Sequence, residues 1–261
     1  MVVAVKKSMP ISADPYAMAP GAITLKNKLN ITDAIELNQC ELVLSAFRRQ
    51  QGMPSGSFDW DHLKEIHEHL FQDVYEWAGA ARVTGLKASD GRQYVAPESI
   101  DASMKAVFKE LEREDFLLGS SEAEFISKAA YYYNRMNLVH PFRTGNGRTI
   151  RTLIEGLAFN NGLTIDWKRI DRAQWQQASI NAANGDRSAL KACFCSVVLE
   201  TGMQSRAKAD SGLTTGQKNS AAEQMIKLVT RNIKSGKGLG ASSMPDATRD
   251  IPNKSDDFGM S

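Results

Sequence analysis

Residues 140–151 of this 261-residue chain read His-Pro-Phe-Arg-Thr-Gly-Asn-Gly-Arg-Thr-Ile-Arg, and their types and order suit chemistry at a phosphate. One apolar-periodic segment (Phe125, Ala129, Tyr132, Met136) precedes the run and another (Ile150, Leu153, Leu157) follows it. The run can therefore be a loop feeding a helix N-terminus. The first turn of a helix presents unpaired N–H groups and the positive end of its dipole, which together attract an anion. Gly145 and Gly147 would let the backbone approach a phosphate closely, with no Cβ in the way. Asn146 could cap the helix or donate to a phosphate oxygen. Arg148 and Arg151 are three apart, share a helical face, and could reach one polyphosphate. His140 stands ahead of this cradle, where a neutral imidazole could take the proton of an attacking hydroxyl. Pro141 fixes φ, and Phe142 is expected to plug the core and hold the loop. A base, a phosphate cradle and two arginines are the parts that phosphoryl or nucleotidyl transfer requires.

The elements that must position these groups are mainly helical. From Thr32, taken as an N-cap, Ile35, Leu37, Leu42, Leu44 and Phe47 recur at helical spacing until Gly52-Met-Pro-Ser-Gly56 breaks the pattern. A second helix starts at Asp59 or Asp61 and runs to about Trp77, with Gly79 ending it. Between Ala81 and Val95, Ser89-Asp90-Gly91 flanked by Val83 and Tyr94-Val95 predicts the one hairpin. Further helices are expected at about 98–116, 121–138, 146–161, 172–183 and 186–201. The fold class is thus all-α in the main, with one small β-hairpin. In domain terms, residues 1–20 read as an irregular arm carrying Pro10, Pro15 and Pro20, and 21–201 as a single core. Residues 202–261 hold one aromatic residue (Phe258) and read as a flexible tail, with a short helix at 220–233.

Composition narrows the function. Apolar residues make up 42%, charged residues 24%, and the net charge is +2, too slight an excess to argue for nucleic acid binding. The three cysteines, Cys40, Cys193 and Cys195, form neither a disulfide framework nor a zinc motif and suit a reducing compartment. Met1–Met9 lacks the apolar core of a signal peptide, and no stretch reaches the roughly 20 apolar residues of a membrane helix. The expectation is a cytoplasmic protein with no membrane partner; export by a specialised secretion system would leave no mark here. His67 and His69 point to different faces of their helix, His62 and His69 share one, and a solvated helix face is expected there rather than a metal site. The run Tyr131-Tyr132-Tyr133 is expected to pack in the core, because Phe125, Ala129, Tyr132 and Met136 share a stripe.

His140-Pro141-Phe142-Arg143-x-Gly145-Asn146-Gly147-Arg148-x-x-Arg151 resembles the signature of the Fic family, whose usual form is HPFx(D/E)GNGRxxR. Asp14-Pro15-Tyr16, Pro20-Gly21 and Leu25-Lys26-Asn27-Lys28-Leu29 look like the entry segment of Fic toxins. His67 to Gly79 resembles the helix before the family's flap, and Asn184-Gly185-Asp186 a later turn. The likeness spans about residues 13–201. It implies a bacterial protein adenylyltransferase that moves AMP from ATP to a Ser, Thr or Tyr hydroxyl of a target protein. In that reading His140 is the general base. Arg143, Thr144, Gly145, Asn146, Gly147, Arg148 and Arg151 line the nucleotide site, with the two arginines on the outer phosphates. The flap maps to about 87–96, and Arg92, Gln93, Tyr94 and Val95 would hold the target by strand addition.

One position departs from the signature. Thr144 stands where the family has the Asp or Glu that ligates Mg²⁺, and a neutral hydroxyl is a weaker ligand for that ion. The chain could remain active with the nucleotide holding the metal, use another nucleotide or transferred group on the same scaffold, or persist as a nucleotide-binding interaction protein. Many family members carry an inhibitory (S/T)xxxE(G/N) helix whose glutamate meets the second signature arginine, here Arg151. The nearest match, Thr32 to Glu36, is followed by Leu37, so the resemblance implies a toxin whose inhibitory glutamate comes from a separate small antitoxin.

Overall fold

The computed structural model describes residues 14–200 and a helix at 215–234. Its elements in chain order are α1 (Ala34–Gln50), α2 (Trp60–Phe71), α3 (Ile100–Arg113), α4 (Glu122–Val139), α5 (Asn146–Asn160), β1 (Leu163–Ile165), α6 (Arg172–Ala183), α7 (Ser188–Val197), β2 (Val198–Glu200) and α8 (Thr215–Lys234). Most of the helix starts are chemically marked. Asp33 accepts from the N–H groups of Ile35 and Glu36, Asp59 from His62, and Asp171 from Gln174. Ser121 and Glu124 form a reciprocal capping box at α4. Each such cap contributes about 0.5–2 kcal/mol. The N-cap of α1 is thus Asp33, one residue after the expected Thr32, because the carboxylate reaches two amides.

α4 and α5 are central. α5 packs against α2 and α4, α4 also against α3, α6 and α7, and α1 lies over α2. Phe125, Ala129, Tyr132, Met136, Phe142, Ile150, Leu153 and Leu157 are all fully buried, so the stripes read from the sequence form one core. The helices predicted at 121–138, 146–161 and 172–183 lie where expected to within a residue at each end.

Four boundaries differ. α2 stops at Phe71 rather than near Trp77, because Asp73 is captured by Arg48 of α1 at 2.6 Å and the Val74 carbonyl accepts the Lys28 N–H at 2.8 Å. α3 stops at Arg113, and Asp115, Phe116 and Leu117 then take left-handed φ values that turn Leu117 into the core. The last predicted helix ends at Val197, and β-branched Val198 opens β2, which pairs antiparallel with β1 as Leu163 with Glu200 and Ile165 with Val198. This two-stranded sheet, absent from the sequence reading, ties the segment after α5 to the segment after α7. The helix expected at 220–233 spans 215–234, and its Val229 is buried against the core. The rest of the expected tail and most of the N-terminal arm lie outside the described residues. Of the arm, Tyr16 is buried and Ala17 bridges Leu25.

Candidate active site

His140 closes α4. It sits in the left-handed region (φ 51°, ψ 62°) and donates its N–H to the Met136 carbonyl, which swings the chain out of the helix into Pro141. The side chain is 4% exposed. Above it lies the ring of Tyr94, stacked at 4.0 Å between centroids and 15° between planes, with the Arg92 guanidinium 5.5 Å from the Tyr94 ring. Of the four flap residues Tyr94 thus meets the expected base directly, and Arg92 reaches it only through the Tyr94 ring. The hairpin itself turns where expected: Gly91 donates to Ala88 with φ +82°, Ala88 donates to Arg92, and Lys87 bridges Gln93. It is a loose hairpin with one bridge, its Gln93 exposed and Val95 half-buried.

The loop from Phe142 to Gly145 rests on side chains of α2 and α5. Asn146 neither caps α5 nor faces outward. Its Oδ1 accepts the Phe142 N–H at 2.9 Å and its Nδ2 donates to the Phe142 carbonyl at 2.8 Å, so it clamps the loop from within. The N-cap is Gly145, at φ +81°, with no side-chain cap. The amides of the first α5 turn are therefore left to a ligand or solvent. A Cβ on Gly145 would lie 2.4 Å from the Phe71 ring of α2. Gly145→Ala is expected to cost on the order of 1–3 kcal/mol through overpacking, with further strain from its positive φ. Thermal unfolding should show this as a drop of several degrees.

His67 is the residue beneath this loop that sequence reasoning misjudged. It is fully buried, not on a solvated face, and stacks on Phe142 at 3.9 Å and 16°. Its Nδ1 accepts the Gly79 N–H at 2.8 Å, so the proton sits on Nε2, which donates to the Thr144 carbonyl at 3.1 Å. His62, also buried, takes the Phe58 N–H and donates to Pro54, and half-buried His69 bonds the Arg48 carbonyl. All three histidines brace backbone.

Arg82, missed altogether in the sequence, is 1% exposed and links flap to loop. Its guanidinium donates to the carbonyls of His140 (2.7 Å), Val139 (3.3 Å), Thr84 (2.6 Å) and Val95 (2.5 Å), while its backbone N–H donates to Pro141 (2.9 Å). Burial pulls its pKa down, although no proton loss follows for a guanidinium. A lone arginine between two glycine-containing turns carried no periodic signal that could have marked it.

The three arginines of this run go separate ways. Arg143 donates twice to Asp14, at 2.8 and 3.1 Å, and so ties the N-terminal segment to the loop. Arg148 pairs with Glu41 of α1, donates to Ser45 at 3.1 Å, and lies 4.6 Å from the Phe71 ring. Arg151 is flanked by the rings of Trp167 and Trp175 at 5.7 and 5.9 Å. One turn on, burial pushes the Glu155 carboxyl up against the pull of Arg49. Glu36, the nearest match to an inhibitory glutamate, sits half-buried in the first turn of α1, whereas Glu41 of the same helix bonds Arg148.

The loop does not fit a protein-held Mg²⁺. Thr144 is buried and neutral, Arg143 and Asn146 offer no carboxylate, and among the described residues no three His, Cys, Asp or Glu side chains gather as a metal site. Among those residues, too, no helix is long and apolar enough to cross a membrane.

A mainly helical core presenting a glycine-opened helix N-terminus beside a buried histidine and under a hairpin defines the class of protein. The model of the Fic/DOC family matches residues 57–158. A probable protein adenylyltransferase Fic of Escherichia coli (strain K12) is 34% identical over 197 residues, covering 72% of this chain and 94% of that one. The protein adenylyltransferase VbhT of Bartonella schoenbuchensis is 35% identical over 205 residues, 77% of this chain and 42% of the longer relative. Among solved structures, the BepC effector of Bartonella tribocorum with bound AMPPNP superposes with a TM-score of 0.64 at 29% identity, covering 73% of this chain and 99% of that one. The N-terminal Fic domain of a Bartonella quintana effector with bound ADP gives 0.64 at 28%, covering 72% and 96%. The chain belongs to the Fic/DOC family.

Proposed function

We propose that this chain is a protein adenylyltransferase that takes ATP as substrate and joins AMP to a hydroxyl of a target protein. The observation that carries the reading is the uncapped first turn of α5, opened by Gly145, six residues after a helix whose C-cap is the flap-covered His140. The names of the relatives and the nucleotides held by two structural neighbours support it. The target oxygen attacks the α-phosphorus, the bond from that phosphorus to the bridging oxygen breaks, and pyrophosphate leaves. The hydroxyl proton passes to the His140 imidazole. Free N–H groups at the α5 N-terminus stabilise the charge that develops on the phosphate. Arg151, held between two tryptophans and, among the described residues, with no carboxylate bonded to it, is the arginine for the outer phosphates. The flap presents Gln93 and the edge of its hairpin to an extended target segment. A small antitoxin supplying a glutamate to Arg151 is the partner this site would accept.

Magnesium, brought by the nucleotide, would neutralise phosphate charge. Thr144→Glu restores a carboxylate at that position and is expected to tighten apparent Mg²⁺ affinity roughly 10–100-fold, the range carried by single supporting groups of metal sites. The test incubates the purified chain with ATP radiolabelled on its α-phosphate and a bacterial lysate, titrating Mg²⁺. Label on protein with wild type supports the transferase reading. Label only with Thr144→Glu makes the natural chain a nucleotide-binding interaction protein.

A further inference from the structure

We propose that Glu41 of α1 is a positioning residue for the phosphate cradle and that Arg148 acts through it as a support, not as a phosphate ligand. The inference rests on the nucleotide lying at the α5 N-terminus. Glu41 is a carboxylate only 4% exposed in the middle of α1, a place where an unpaired charge is not tolerated. Both its oxygens are used: one accepts from Arg148 and the other from the hydroxyl of Tyr75, itself 2% exposed. Arg148 spends one terminal nitrogen on Glu41 and the other on Ser45, one turn along the same face of α1. Its guanidinium then lies 4.6 Å from the Phe71 ring, the same ring that a Cβ on Gly145 would strike. A chain of contacts thus runs from Glu41 through Arg148 and Phe71 to Gly145, and it seats the turn that opens α5.

This arrangement argues against Arg148 gripping phosphate. To reach a nucleotide it would have to leave a buried carboxylate that, among the described residues, has no other cation bonded to it. The pair's side chains are 14% and 5% exposed, so water would not replace the loss. Arg151, one turn further on, lies against two indole rings, and among the described residues no carboxylate is hydrogen-bonded to it. The two signature arginines therefore divide the work: one holds the cradle in place and the other is available to the ligand.

Full-length Glu41→Gln, Arg148→Met and the double variant separate the possibilities. Amide hydrogen exchange of residues 142–149 is followed without ligand, and affinity for ATP and for AMP is measured by equilibrium dialysis. A thermal melt of each variant checks folding, and the double variant, which leaves no lone buried charge, should retain the fold. The expected result is faster exchange in 142–149 for every variant, with exchange elsewhere unchanged. ATP and AMP affinities should fall by the same factor, about tenfold. The double variant should be no worse than either single, as for residues acting as one unit. Three results would overturn the proposal: unchanged exchange in 142–149, a loss in Arg148→Met confined to ATP, or tighter ATP binding in Glu41→Gln. The last would make Glu41 a competitor of the phosphates. If wild type binds neither nucleotide, the transferase reading falls, while the exchange comparison still decides the role of Glu41.

Discussion

His140→Ala transfers label from ATP to protein at least about 10²–10⁴-fold more slowly than wild type, the range that a positioned acid or base contributes. The physical reason is local. The imidazole is 4% exposed and covered by Tyr94, so bulk water has poor access to replace it as a proton acceptor. Binding should survive, since the N–H groups of the first α5 turn and Arg151 are untouched. Equilibrium dialysis with ATP should therefore give an affinity within a few-fold of wild type beside the lost transfer. A variant that still labels target protein at the wild-type rate would remove His140 from the mechanism and leave the loop as a binding element only.

Arg82→Met is the most damaging change expected away from the reacting atoms. Methionine replaces the apolar stem of the side chain but returns none of its donors, so four carbonyls on Val139, His140, Thr84 and Val95 lose their partner. A buried acceptor left unsatisfied costs about 1–3 kcal/mol, so a total of at least roughly 3 kcal/mol is expected even if some of the four find water. Denaturant unfolding would read this as a lower midpoint with an unchanged slope. Arg82→Lys should not rescue, because a single ammonium cannot span acceptors on both the flap and the loop. Function suffers for the same reason. The flap carries Tyr94 to its stack on His140, and misplacement of order 1 Å at such a site costs about 10²-fold in rate. If Arg82→Met kept both stability and transfer, the guanidinium would be a bystander and the flap would be held by its own hairpin.

The residues of the site divide by how they could be known. The run from His140 to Arg151 was legible because its glycines, its arginines and the flanking apolar stripes each have a local physical meaning. Helices 122–139, 146–160 and 172–183 were legible for the same reason: periodicity and caps are short-range. The boundaries that failed were decided by partners far along the chain. Asp73 left its helix pattern for Arg48, twenty-five residues earlier, and Val198–Glu200 became a strand because 163–165 offered an edge. His67 illustrates the limit most clearly. Its spacing on α2 was read correctly, but which side of α2 faces the loop is set by packing against Phe142, and that turned an expected surface residue into a buried brace.

By itself the sequence determined a mainly helical fold, the glycine-opened start of α5, the histidine ahead of it and the turn of the hairpin. These follow from backbone propensity, capping chemistry and apolar period, all of which act within a few residues. Only the tertiary structure decided what each polar side chain does there. Asn146 turned inward to clamp Phe142, Arg143 went to Asp14, and Arg148 went to Glu41. Arg82 joined two segments that no periodicity connects. The reason is that a buried polar group must find its partner wherever the folded chain supplies one, and that partner's distance in sequence is not written in local pattern.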